Sequence, residues 1–556
     1  MKLLILGMLM PFCGTAMAAN AYFSSTSAAS ILKKDCVRCH GKDSAGEGGF
    51  QSIDDVNELI AKGYVIPGNP DDSPLFKKIS TGAMPPAGET PRPTATDKEV
   101  IKKWIETLQT DTPDDPDSDP REITIEKMYS LIKADVLSVP GTATQRKFLR
   151  YLTMRNLANA KNKSGTPLYT DADLDQFRKG MFKLLNSVSS TDDIFLPTEV
   201  AGSHGTIWRI NLKDFGIKEE TWTKLSDSYQ FDNHGDSDDA HHAIATLLGF
   251  GNLSNKNFEM RADWFVAHVS VPPFYYDFLD IKENYIDQAL SGGVDIDKNL
   301  KSTKATRAGF LKSGISKQNR VVERHEMPRT HGAFWVSYDF GSVHSLKKDI
   351  TLNPLGPIPD YPEKFAFEQD GGEILWNLAN GLQGYMLADK SGGRLAKAST
   401  EIVQDPQRPD NSVIAGLSCM SCHTAGMKHN DDILRDTIEN NFDDGPLKTT
   451  MLNLYKPNDV MKGLMAADQQ RFEAALAKLD IDPLGPEPIL SVVKQYESPV
   501  TLEMAAAELD LTKQELSRKI REINNNDLAE LCKKLTHGGM PRENFDEMIT
   551  ILGVGF

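Results

Sequence analysis

The pentapeptides Cys36-Val-Arg-Cys39-His40 and Cys419-Met-Ser-Cys422-His423 constrain this chain more than any other feature. Each places two thiols three residues apart and an imidazole directly after the second. The chain holds six cysteines in 556 residues, and these motifs take four of them. C-x-x-C-H is the attachment sequence for c-type haem: the thiols add to the haem vinyl groups, and the histidine is placed to bind iron from one side. Two such motifs predict two covalently bound c-type haems. Cys36, Cys39, Cys419 and Cys422 are then the attachment points, with His40 and His423 as axial iron ligands. Two other readings of these residues stay open, a pair of redox-active C-x-x-C dithiols and a split Cys/His zinc site. Cys532 stands outside the pattern and reads as a buried thiol.

The N-terminus bears on where such chemistry would take place. Lys2, the apolar run Leu3 to Phe12 and the small residues Ala16-Met17-Ala18 read as a signal peptide over residues 1–19. Cys13 would leave with it, and the mature protein would be periplasmic. No internal stretch approaches the ~20 apolar residues needed to span a bilayer, so no membrane span is expected in the mature chain. The formal net charge of -16 argues against a nucleic-acid partner, because phosphate binding needs clustered Lys and Arg. Redox proteins are the expected partners.

Residues 20–109 carry further motifs. A helical lead-in, Ser27 to Lys34, runs into Cys36. Gly68-Asn69-Pro70-Asp71-Asp72-Ser73-Pro74-Leu75 precedes Met84-Pro85-Pro86, and an amphipathic segment from Asp97 to Leu108 closes the region. In this order the motifs resemble the small bacterial monohaem cytochromes c that are fused to larger exported proteins. The resemblance implies an all-α domain with Met84 as the second axial ligand. Chemistry supports this separately, since a thioether is a soft, neutral ligand suited to haem iron. Pro85 and Pro86 would stiffen the loop behind it. With both axial positions filled, this iron passes electrons and does not bind substrate.

Residues 110–120 hold five aspartates and three prolines in eleven positions, a solvated and rather stiff linker. Beyond it the fold class expected is a mixed α+β body over 121–400, followed by a second haem-binding, mainly helical region over 401–556. Two helices are expected between Ile123 and Asn159, and others over Asp171–Leu185, Ala240–Phe250 and Phe258–His268. Strands are expected around Thr206–Leu212, Ser337–Phe340 and Gly381–Ala388. The segments Trp208 to Gly216, Arg261 to Phe265, Arg320 to His325, Trp335 to Phe340, Asn380 to Tyr385 and Leu417 to His423 together resemble a group of large exported bacterial proteins with two haems. That resemblance implies the second haem and no particular activity.

The second haem's sixth ligand decides what it can do. Met427 and His429 follow His423 too closely to reach across the haem plane. Met540 is a candidate, because Lys533 to Pro541 echoes Lys77 to Pro85. His325 and His331 are others. Arg324 and His325 together could form a polar catalytic distal site for O–O bond cleavage; alternatively they satisfy buried carboxylates such as Asp339 or Glu323. The cluster His234, His241 and His242 reads as a metal site or a solvated loop. Three functions remain: an electron carrier, a peroxidase-like oxidoreductase whose open second haem is fed by the first, and a binding module displaying Trp335, Tyr338 and Tyr385.

Overall fold

A computed structural model describes residues 28–41, 53, 59, 62–66, 69–107, 121–231, 239–250, 257–311, 319–341, 345–356, 358, 360–361, 363–522, 533–535 and 538–552. The expected signal peptide, the linker 110–120, His234 and Cys532 lie outside these residues. Contacts divide the chain into two units, Met1–Ser118 and Asp119–Phe556.

The described elements of the first unit are the helices Ala28–Asp35, Val37–His40, Pro74–Ser80 and Ala95–Thr107. Pro74 sits in the first helical turn, where its missing N–H costs nothing. Leu32, Phe76, Ile79, Ile101 and Ile105 form the core, and Cys36, Val37 and Trp104 pack partly against it. The three- and four-residue spacing of these positions is what turns one face of each helix inward.

The second unit mixes helices with two sheets. The smaller sheet has the order β2-β3-β1-β4, from Thr198–Glu199, Ile207–Asn211, Leu149–Thr153 and Glu259–Arg261. Two helical expectations give way here. Between 139 and 159 the second expected helix is replaced by a helical turn, Ala143–Arg146, then strand β1, then another short turn, Arg155–Ala158. All five β1 residues are buried, so the alternation that marks a half-exposed strand is missing from the sequence. Likewise Glu259–Arg261 is strand β4, parallel to β1, and only Ala262–Val269 is helix.

The larger sheet is a meander of six antiparallel strands whose spatial order follows the chain. They are β5 (Thr306–Phe310), β6 (Arg320–Met327), β7 (Gly332–Asp339), β8 (Gly371–Asn377), β9 (Gln383–Asp389) and β10 (Arg394–Leu395). Register decides which side chains share a face. Arg320 pairs with Asp339, Val322 with Ser337, Arg324 with Trp335, and Trp335 in turn with Leu375. Residues directly opposite point the same way, so these form one face, with Glu373 and Leu387 on it. Glu323, His325 and Tyr338 fall on the other face. The helices Asn458–Lys478, Pro488–Tyr496, Leu502–Glu508 and Arg542–Leu552 contribute to the same continuous core as this sheet.

Candidate haem-binding sites

In the first unit the motif spans the junction of two helices. The N–H groups of Cys39 and His40 both donate to the Cys36 carbonyl, at 3.2 and 3.0 Å, which winds the motif into one tight turn. Cys36 and Cys39 are not joined in a disulfide. Burial, aided by the neighbouring Asp35, pushes the Cys36 thiol up to about 12. A thiol held protonated is a poor nucleophile, which counts against a redox-active dithiol here.

The Asn69–Ser73 stretch builds the support for the next helix. Ser73 Oγ accepts from the Ile66 N–H at 2.8 Å and donates to the Asn69 carbonyl at 2.8 Å. After that helix comes the Met84 loop. Arg92 spans it, donating to the Gly82 and Pro86 carbonyls at 2.8 Å each. The Met84 N–H donates to Lys78 O at 3.0 Å, while its side chain is 37% exposed. The methionine is thus carried, partly exposed, on a braced loop.

In the second unit the motif lies on the helix Leu417–Cys422, and His423 ends it. Gly416 lets this helix start hard against its neighbours, with φ at +82° and a Cβ position only 2.5 Å from the Ser270 carbonyl oxygen. Cys419 and Cys422 are free, and burial raises both thiols; Glu373 lifts Cys419 further. Lys428 Nζ lies 3.0 Å from Cys422 Sγ. His423 Nδ1 lies 3.0 Å from the Gly426 carbonyl oxygen, an arrangement in which Nδ1–H donates. Its buried Nε2 has no hydrogen-bond partner. Such backbone bonding at one ring nitrogen selects the tautomer that presents the other as a metal ligand.

That orphaned nitrogen faces the sheet. Glu373 Oε1 on β8 stands 3.5 Å away, and the Tyr385 ring centroid is 5.7 Å from that of His423. Two cavities meet here. One of about 730 Å³ is lined by Cys419 and Cys422, together with Leu387, Val403 and other apolar groups. Another of about 260 Å³ takes in His423, Met427 and His429. Arg320, Glu373 and Lys428 line both. Two free thiols, an imidazole with a free lone pair and a partly enclosed space of ligand-pocket size fit a covalently held haem.

Other residues singled out from sequence are placed elsewhere. Arg324 makes a two-point ion pair with Asp468, at 2.9 and 3.0 Å. His325 lies on the opposite face, 2.8 Å from Glu323 Oε1 and 3.2 Å from Asn299. Neither lines the cavities, so the expected polar catalytic pair is not brought to His423. A strand turns successive side chains to opposite faces, and both groups are spent on buried carboxylates. Burial would raise Glu323, but Arg307 and then His325 hold it at about 2. Met540 is fully buried, its backbone exchanging hydrogen bonds with Val500 at 2.7 and 2.8 Å, and lines neither cavity. His331, with φ at +54°, lies in the β6–β7 turn and also lines neither.

Trp335, Tyr338 and Tyr385 are buried, so they form no exposed display; of the three, Trp335 lines the smaller cavity. Among the described residues no group of three or more His, Cys, Asp or Glu side chains is spaced to hold a metal ion. Sequence reasoning missed Glu373 altogether. Arg320 and Asp339 sat within motifs that the resemblance picked out, but nothing local marked them as lining a site. No described helix is long and apolar enough to cross a membrane.

Residues 36–88 match the family PSCyt1, Planctomycete cytochrome C. Neither the curated proteins nor the solved structures gave a match. The matched span contains Cys36, Cys39, His40 and Met84, and a c-type haem with haem-based electron transfer is the chemistry it supports. The N-terminal unit carries a cytochrome c-like domain.

Proposed function

We propose that this chain is an exported dihaem c-type cytochrome that passes single electrons between redox partner proteins. One haem is held by Cys36 and Cys39 in an all-α domain, with His40 and Met84 as axial ligands. The second is held by Cys419 and Cys422, with His423 as its proximal ligand. Bound haem supplies a one-electron iron couple. The observation that carries the reading is the state of His423: buried directly after two free thiols, fixed through Nδ1, and with no hydrogen-bond partner on Nε2. The peroxidase-like alternative loses its expected residues, because Arg324 and His325 are engaged by Asp468 and Glu323.

Haem counting tests this. The purified chain is expected to carry two covalent haems, and replacing either cysteine pair by alanine is expected to leave one. A count of one in the unaltered protein would sink the dihaem reading. N-terminal sequencing of periplasmic protein tests the export reading, with a start just past residue 19 expected.

The Met84 ligand has its own test. Arg92→Ala removes both hydrogen bonds that span the loop, at a cost of about 1 kcal/mol to the unit because they are exposed. The methionine-to-iron charge-transfer absorption is expected to weaken and vanish at a lower denaturant concentration. An unchanged band would show that the loop does not position Met84.

A further inference from the structure

Resting on the reading of a haem at Cys419–His423, we propose that Glu373 is the sixth ligand of that haem's iron, an anionic carboxylate opposite His423. Bonds from a first-row metal to imidazole nitrogen and to carboxylate oxygen are each about 2 Å, so two opposed donors on one ion stand about 4 Å apart. Glu373 Oε1 is 3.5 Å from His423 Nε2, and only a few tenths of an ångström of separation would make room for the metal. Both cavities that would take the macrocycle share Glu373 on their walls.

The backbone that carries the carboxylate is held in place. The Glu373 N–H donates to Ser337 Oγ at 2.8 Å, tying this point of β8 to β7. At Gly372 a Cβ would stand 2.0 Å from the Ser337 carbonyl oxygen, so the glycine allows the strands to meet this closely. Charge points the same way. A largely buried carboxylate needs a cation. The nearest guanidinium, Arg320, is already engaged at two points by Asp339, at 2.5 and 3.0 Å. Among the described residues the one basic group within ion-pair distance of Glu373 is His423, which cannot be both protonated and an iron ligand. Iron supplies the missing positive charge.

The other donors in reach are tied elsewhere or follow His423 along the chain. His429 Nε2 is 3.1 Å from Asp431 Oδ1 and 43% exposed, Lys428 Nζ is 3.0 Å from Cys422 Sγ, and Met427 follows closely after His423. An anionic oxygen donor is a weak-field ligand that favours the ferric state, whereas the thioether at the first haem favours the ferrous state. The second haem therefore has the lower potential, and electrons run from it to the first.

The test uses the full-length, haem-loaded protein. Ferric EPR of the wild type is expected to show one low-spin and one high-spin centre, and a redox titration two separate waves. Glu373→Gln keeps the side chain's volume and removes its charge. It is expected to raise the lower wave and change the high-spin signal, leave the upper wave in place and keep two haems per chain. Two low-spin centres in the wild type overturn the proposal without any variant. So does a Glu373→Gln protein whose spectrum and lower wave are unchanged while Met427→Ala or His429→Ala moves them. Should Glu373→Gln not accumulate, Glu373→Asp retains the charge, and the wild-type spectrum decides alone. A single haem per chain overturns the dihaem reading itself, an outcome distinct from the spin and potential readouts.

Discussion

Gly416→Val is expected to destabilise the second unit by about 2–5 kcal/mol and to unseat the helix bearing Cys419 and Cys422. Two independent costs add. A valine forced to φ +82° pays about 1–2 kcal/mol, because its Cβ meets the following carbonyl. Its side chain must also enter space already filled, since the Cβ alone would lie 2.5 Å from the Ser270 carbonyl oxygen and 2.9 Å from the Tyr275 ring. Overpacking of this kind costs about 1–3 kcal/mol, and one of these neighbours is backbone, which cannot rotate away. Gly463 is the natural control. It lies within the helix Asn458–Lys478, and a Cβ there would meet nothing within 4 Å. Gly463→Ala is expected to be neutral or to stabilise by about 0.5–1 kcal/mol, through lower entropy of the unfolded chain and better helix propensity. Denaturant titration of the two variants checks both, and equal midpoints would contradict the argument.

Glu508→Gln is expected to cost about 3–5 kcal/mol, the range for breaking a buried ion pair from one side. Glu508 is 3% exposed and joins two arginines from distant parts of the chain. Arg261 reaches it at 2.7 Å and Arg542 with two bonds at 2.8 Å. Arg261 also binds Asp263 at 2.8 Å, so it keeps one partner when Glu508 is neutralised. Arg542 would keep only Asp546, 3.6 Å away, and the Tyr496 carbonyl at 2.8 Å. The variant therefore leaves uncompensated positive charge in the core and loosens the docking of the helix Arg542–Leu552.

The same cluster predicts a pH dependence. Burial would raise Glu508, but Arg261 and Arg542 outweigh it and hold it at about 2, below its ordinary 4.5. A depressed carboxylate contributes stability above its unfolded value, and that stability is lost as pH falls through the folded one. The loss should run from about pH 4.5 down to about 2, and this limb should flatten in Glu508→Gln. Asp546 acts oppositely. Burial pushes it up to about 6, so its contribution is full below its unfolded value near 3.8 and declines as pH rises through about 6. Unfolding free energies measured across this range for wild type and variant test both signs.

Much of the secondary structure was legible where periodicity is strong. The helix Asp171–Ser187 and strands β3 and β9 coincide with patterns visible in the chain, whereas of β7 only its end, Ser337–Asp339, falls in the expected strand Ser337–Phe340. The strand at Leu149–Thr153 was not legible, because burial on both faces removes the alternation that distinguishes a strand from a buried helical segment. β6 was noticed as a run of charged and apolar residues but not as a strand. Its charged residues read either as a distal haem site or as partners of buried carboxylates, and Arg320, Glu323 and Arg324 are indeed all buried in ion pairs.

The sequence by itself determined the candidate attachment points, because everything a C-x-x-C-H motif needs lies within five consecutive residues. The Met84 loop was nearly as local, with a proline run behind it and a recognisable helix before it. What faces His423 was decided only by the tertiary structure. Glu373 and Arg320 come from β8 and β6, and whether a strand residue meets the site depends on register, which no short stretch encodes. A shift of one residue along β6 separates Arg324, on the face turned toward His423 but spent on Asp468, from His325, turned away to Glu323. Side-chain direction in a strand reverses at every residue, so identity alone could propose those two groups but could not place them.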